Sequence, residues 1–345
     1  MPLVIPPSSS SPPPPPSTRG PFGYLRRHPV LFLLLLSPGI PEYLSGSSPV
    51  EALIVNPGQF VFQIVADVGL YGPGVLLVRE AMVRWRKSWA TVLLLGAAYA
   101  ILEEGVALST LFNPTAGPVG ALGNFGHWLG VSWVWAEGVI LVHVVYSISL
   151  PIFLLGLAVP DTTGKSLLGR RGIASAIVIL VVDVFLLLLV IAVWEHFWMG
   201  LPLFLSSFLA IALLIYLARR APAEWPNRRE GRKRGTRATF VIGAIVFPTV
   251  IVSQGLGASV GLPPLAVFSF VFAVLGLFLR WVVRNLSFQR NERHLLAFAL
   301  GLVVPIAGFG VISQFPIELV LVVDLALVLL FSNLLRMYPV REGVL

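Results

Sequence analysis

Cysteine is absent from the 345-residue chain, which excludes disulfides and thiolate metal sites and leaves no mark of the redox compartment. Charge is scarce: Asp, Glu, Lys and Arg supply 12% of the residues, against roughly 25% in an ordinary soluble domain. With 57% hydrophobic residues, that scarcity excludes a soluble globular fold and points to a chain that crosses a membrane many times. No G-x-x-x-x-G-K-[ST] phosphate loop and no H-E-x-x-H zinc helix occurs, so neither an ATPase nor a zincin is expected. An ordinary serine hydrolase is not expected either, and no metal or cofactor is implied. The net charge of +8 is dispersed between apolar segments, as orientation signals are, and does not imply a nucleic-acid partner.

Apolar runs are what the chain has in abundance. A spanning helix needs about 20 apolar residues, and ten segments qualify: 29–44, 59–78, 89–112, 133–159, 173–194, 201–218, 239–258, 263–283, 294–313 and 316–335. The first is short and interrupted by Pro38 and Pro41; it reads as an uncleaved segment, since no A-x-A site follows it. Lys and Arg fall before the first span and after the second, fourth, sixth, eighth and tenth; the loops 45–58, 113–130, 195–200, 259–262 and 314–315 carry none. That alternation predicts an all-α, polytopic transmembrane helix bundle of about ten spans in the cytoplasmic membrane, with both termini cytoplasmic. Residues 1–28 begin as a Pro/Ser-rich stretch that reads as a disordered or polyproline tail. Residues 29–218 form a six-span unit, 219–238 a basic cytoplasmic loop able to meet anionic lipid, and 239–345 a four-span unit. Two proline-bearing strings, FPTVIVSQ (247–254) and VPIAGFGVISQ (304–314), hint at related hairpins.

Inside this greasy sequence lies AAYAILEEGVALST, residues 97–110, with two adjacent carboxylates. From Ser88 to Leu102 a helix rises only about 22 Å of the ~30 Å hydrocarbon core. Glu103 and Glu104 therefore fall in the outer half of the bilayer, where each needs a partner, a proton or a watery cavity. Neighbours on an α-helix diverge by about 100°, so the two are expected to point apart, with Glu104 on the small-residue flank of Gly96, Ala97 and Ala100 that favours close helix contact. The aromatic run WLGVSWVW (128–135) marks an outer interface and puts Glu137 near it; His143 lies about 9 Å deeper, level with the glutamate pair. Asp67, Asp183 and Asp324 are further acids within spans, Glu318 lies nearer an outer end, and His127, Glu195 and His196 sit at outer ends. Taken singly, an intramembrane Asp reads as a hydrogen-bonded packing residue; several acids and a histidine at one depth read as a functional polar site.

LLLLSPGIPEYLSGSSP, GLYGPGVLLVRE, AYAILEEGVAL, FNP and HWLGVSWVWAEG, in succession over the first 160 or so residues, resemble a family of uncharacterised prokaryotic multi-pass membrane proteins. The resemblance implies architecture and singles out Glu42, Arg79, Glu80, Glu103, Glu104 and His143. A Glu-Glu pair on one span followed by histidines on later ones is also similar to the CAAX-prenyl protease and bacteriocin-processing group. That resemblance implies Glu103 or Glu104 as the base for peptide hydrolysis, assisted by His143 and His196. It departs at Leu108, where the group has arginine, and at Gly200 and Ser147, where it has Asn or Asp.

Three functions follow from these residues. The first is transport or permeation of a small solute or proton along Asp67, Glu103, Glu104, Glu137, His143 and Asp183, with helices broken at GLYGPG and VVPIAGFG. The second is an intramembrane hydrolase using Glu103, Glu104, His143 and His196. The third is a non-catalytic scaffold whose acids pair internally.

Overall fold

The fold is given by a computed structural model that describes residues 21–48, 52–224, 235–285 and 292–313. In chain order the helices are α1 (Pro21–Arg27), α2 (Pro29–Pro38), α3 (Ala52–Val55), α4 (Pro57–Arg84), α5 (Trp89–Ala100), α6 (Trp133–Val142), α7 (Leu150–Ala158), α8 (Arg170–Trp194), α9 (Leu201–Arg220), α10 (Thr236–Ser259), α11 (Pro264–Asn285) and α12 (Glu292–Ser313). Three wide π-helical stretches continue α2, α5 and α6: π1 (Gly39–Leu44), π2 (Ile101–Ala107) and π3 (His143–Ser149), the last running on into α7. The β structure among the described residues is a two-residue antiparallel pair, β1 (His127–Trp128) with β2 (Val131–Ser132), turned through Leu129 and Gly130.

Among the described residues, eight helices are long and apolar enough to cross a membrane: Pro57–Arg84, Trp89–Ala107, Trp133–Ala158, Arg170–Trp194, Leu201–Arg220, Thr236–Ser259, Pro264–Asn285 and Arg293–Ile312. Pro29–Leu44 is shorter, yet its Phe32, Leu33 and Ile40 are among the most buried residues of the protein. The chain is thus a helical membrane bundle, and outward-facing Ile177, Val182, Phe185, Leu209, Leu265 and Phe272 present its apolar surface to lipid. Two expected boundaries move. The second span extends from 78 to Arg84, because Arg79 and Glu80 find partners and need not leave the helix. The third stops at Ala107 and not at 112, followed by a turn in which Ser109 adopts φ 59°. Residues 21–27 of the expected tail are helical. The span at 316–335, with Glu318 and Asp324, lies outside the described residues, as do residues 1–20 and most of the basic loop.

Proline ends the α-helix at Pro38, where the sequence suggested an interruption, but does not break α4 or α12. α4 runs unbroken through Gly72-Pro73-Gly74, and α12 through Pro305. These glycines serve close approach: a Cβ on Gly72 would overlap Leu34, and one on Gly74 the ring of Tyr99. Likewise α10 and α12 cross backbone to backbone, since a Cβ on Gly243 would lie 2.7 Å from the Phe298 carbonyl and one on Gly301 would overlap the Phe240 carbonyl.

Basic loops gather at one end of the bundle. Lys87 Nζ and Ser88 Oγ donate to the carbonyls of Ala221 and Pro222, at 2.8 and 2.9 Å, and the Arg219 guanidinium lies 4.9 Å over Trp85. The turn after α7 joins the same rim: Arg79 Nη2 donates to the carbonyls of Thr162 (2.7 Å) and Lys165 (3.0 Å). At the opposite end, Asn113 Nδ2 donates to Glu195 (3.0 Å) and Ser132 N to the Leu111 carbonyl (2.9 Å), joining loops without Lys or Arg. Helices on either side of residues 219–238 share one core: the Tyr146 and Phe247 rings are 5.6 Å apart, those of Phe153 and Phe298 6.5 Å.

Candidate functional site

Each π stretch carries part of one polar cluster: Glu42 on π1, Glu103 and Glu104 on π2, His143 on π3. A π turn is wider than an α turn and recurs at functional sites. In π1, Pro41 supplies no backbone N–H. The Ser45 hydroxyl donates to the Pro41 carbonyl, closing that stretch. Near π3, the Ser37 hydroxyl is shared between the carbonyls of Ser147 (2.6 Å) and Tyr71 (3.2 Å), which pins α2, α4 and π3 together. Gly96 lets α5 approach π3, with the position of a Cβ only 3.3 Å from the Val144 Cα, so the small-residue flank does receive a helix.

At the centre is His143, 2% exposed. Its Nε2 lies 2.8 Å from Glu104 Oε1 and its Nδ1 3.0 Å from Glu103 Oε2. Adjacent glutamates were expected to point apart. They meet the same imidazole instead, because the ring offers a nitrogen on each side and the π turn spreads the two carboxylates around it. Nδ1 also lies 3.0 Å from Ser147 Oγ, so Glu103 approaches off the hydrogen-bond line and neither of its oxygens has a hydrogen-bond partner among the described residues. The second oxygen of Glu104 accepts from the Thr110 hydroxyl, which in turn accepts from Trp135 Nε1 at 3.2 Å.

The Tyr71 ring stacks obliquely on His143 with centroids 5.9 Å apart, and its hydroxyl donates to Glu42 Oε1. Glu42 Oε2 accepts from Ser48 Oγ (3.0 Å), which is held by Gln63 Nε2 (2.6 Å). Asp67 accepts from the Tyr43 hydroxyl at 2.7 Å. Asp183 is buried against Gly69 of α4, where a side chain would crowd it, and its Oδ2 is unpartnered. Glu103, Glu104 and His143 therefore form a contiguous centre, with Glu42 joined through Tyr71; Asp67, on α4, and Asp183, packed against α4, make no hydrogen bond to His143.

Glu137 and His196 do not belong to this centre. Both Glu137 oxygens lack a hydrogen-bond partner among the described residues, and no contact ties it to His143. His196 is exposed in the turn after α8, at φ 52°, with no hydrogen bond or ion pair to the cluster. Arg79 and Glu80 sit at the basic end. There Glu80 pairs with Arg84 Nε (2.9 Å) and accepts from the amides of Leu167 (2.6 Å) and Leu168 (3.3 Å), a clamp on the α7–α8 turn. Tyr71, Tyr99 and Thr110 escaped the sequence reading. Tyr99 alone had a legible signal, standing four residues before Glu103 on the same helical face.

The string GASVG at 257–261 spells the elbow of serine hydrolases, but it is the last turn of α10 with no strand leading into it, and the Ser259 hydroxyl donates to the Gly255 carbonyl (2.8 Å). Among the described residues no group of three or more His, Asp or Glu is arranged to hold a metal ion. Comparison with protein-family models, curated proteins and solved structures gave no match.

Proposed function

We propose that this protein is a multi-pass transporter or permease of a proton or small solute, with Glu103, His143 and Glu104 as its conducting centre. The observation that carries the reading is the imidazole held between two carboxylates inside membrane-spanning helices, a group that can accept a proton on one nitrogen and release it from the other. Intramembrane ionisable groups are costly and mark ion or proton pathways. Glu42 and Asp67, each held by a tyrosine hydroxyl, extend the polar track toward α2 and α4. The gathering of Lys and Arg at one end favours a cytoplasmic membrane location with that end facing the cytoplasm. The basic loop at 219–237 is then placed to meet anionic lipid.

Reconstituted protein with a pH-sensitive dye inside the vesicles tests the reading. A pH step is expected to drive dye-reported flux in wild type and roughly tenfold less in Glu104→Gln at matched protein content, the loss of one charged hydrogen-bonding partner at the centre. Flux equal in both would remove the cluster from the mechanism.

An intramembrane hydrolase is the second reading, favoured by the 2.8 Å Glu104–His143 contact, which meets the reach a general base needs. It must work without His196. Cleavage of a membrane peptide abolished by Glu104→Gln, with no pH-driven flux in wild type, would establish it over transport.

A further inference from the structure

Glu103 is fully buried, and both its oxygens lack a hydrogen-bond donor among the described residues. Tyr99, 5% exposed, stands one turn earlier on α5 with its ring edge-on to His143, centroids 6.2 Å apart. Its hydroxyl lies near the Glu103 carboxyl without meeting hydrogen-bond geometry, and it too is unpartnered. Three neighbouring buried oxygens thus lack a hydrogen-bond partner among the described residues, Glu103 Oε2 having only the off-line approach of His143 Nδ1 at 3.0 Å. Leaving such groups bare in an apolar interior costs several kcal/mol.

The surroundings select the missing partner. Glu103 and Glu104 face one imidazole, with Glu42 joined through Tyr71, and none of the ion pairs of this centre among the described residues involves Lys or Arg. An anionic ligand would add to uncompensated negative charge. Directional N–H donors suit three neighbouring oxygens that lack a hydrogen-bond partner among the described residues.

We propose that Glu103 and Tyr99, beside His143, bind a small ammonium-type cation: ammonium itself or a short primary amine in its protonated form. The N–H groups donate to both Glu103 oxygens and to the Tyr99 hydroxyl oxygen, and the Glu103 carboxylate supplies the counter-charge. This rests on the permeation reading of the same centre and names the solute class.

Calorimetric titration of the full chain in detergent micelles, with methylammonium, tetramethylammonium and sodium chlorides at equal ionic strength, tests it. Methylammonium is expected to bind saturably at one site. Tetramethylammonium, which has no N–H, and sodium are expected not to compete. Glu103→Gln should weaken binding by roughly tenfold or more, and Tyr99→Phe by several-fold, for the loss of one charged and one neutral acceptor. Tyr99→Phe keeps the test open should Glu103→Gln not fold. No saturable binding, equal binding of tetramethylammonium, or binding untouched by both substitutions overturns the proposal. Proton flux that depends on Glu104 with no methylammonium binding would sink this inference alone; binding without flux would sink the permeation reading alone.

Discussion

His143 Nε2 and Glu104 Oε1 stand 2.8 Å apart although they lie 39 residues apart in the chain. The contact joins the ends of two interrupted helices, since His143 opens π3 and Glu104 lies within π2. Removing the imidazole would leave two buried carboxylates against each other. His143→Ala is therefore expected to destabilise the fold by about 3–5 kcal/mol, the usual cost of breaking a buried charge pair. Glu42→Gln, which keeps an acceptor for Tyr71, should cost about 1 kcal/mol. Denaturant unfolding of the two variants in matched micelles compares them directly, and equal stabilities would show that His143 carries no ionic role.

The α10–α12 crossing gives a packing test. Gly301→Ala drives a methyl into the Phe240 carbonyl, where backbone must move, so a loss of about 1–3 kcal/mol is expected. Gly276→Ala on α11 meets open space and should be neutral or slightly stabilising, by up to about 1 kcal/mol, through its better helix propensity. Thermal melting in detergent separates the two.

At the basic end, Glu80 receives the amides of Leu167 and Leu168. Glu80→Ala removes these charge-assisted bonds, each class worth about 1.5–3 kcal/mol. Amide exchange at Leu167 and Leu168 is expected to speed up by roughly tenfold or more, while exchange in α5 stays unchanged. Slow exchange at both amides in the variant would mean that Arg79, not Glu80, holds the turn.

Absence of cysteine makes the chain ready for topology mapping. Thr115→Cys and Thr163→Cys lie at opposite ends of the bundle, and Thr115 and Thr163 are both exposed. In intact cells an impermeant thiol reagent should label Thr115→Cys and spare Thr163→Cys until the membrane is opened. The reverse pattern would invert the orientation that the positive residues imply.

The spans were legible because long apolar runs and the alternation of basic loops are local signals, and the continuous α6–π3–α7 helix and α8–α12 fall within a few residues of where they were expected. The meeting of Glu104 with His143 was legible as shared depth. What the sequence hid was helix type. A one-residue widening of a turn leaves no compositional trace, so π2 was read with α-helical spacing and its glutamates were set apart. Conversely, Gly72-Pro73-Gly74 resembled a break and proved to be a packing surface, because the neighbours that fill the space, Leu34 and Tyr99, come from other helices. Glu42 came to notice only through resemblance, and its link to the centre passes through the Tyr71 hydroxyl, which no spacing rule joins to it.

The central claim is that Glu104 and His143 act as one conducting unit. A double-mutant cycle on pH-driven flux in proteoliposomes tests it most directly, using Glu104→Gln, His143→Gln and the pair together. The account predicts that each single substitution lowers flux by roughly tenfold or more and that the double falls little further. Flux losses that multiply independently, or flux that survives the double substitution, would contradict it.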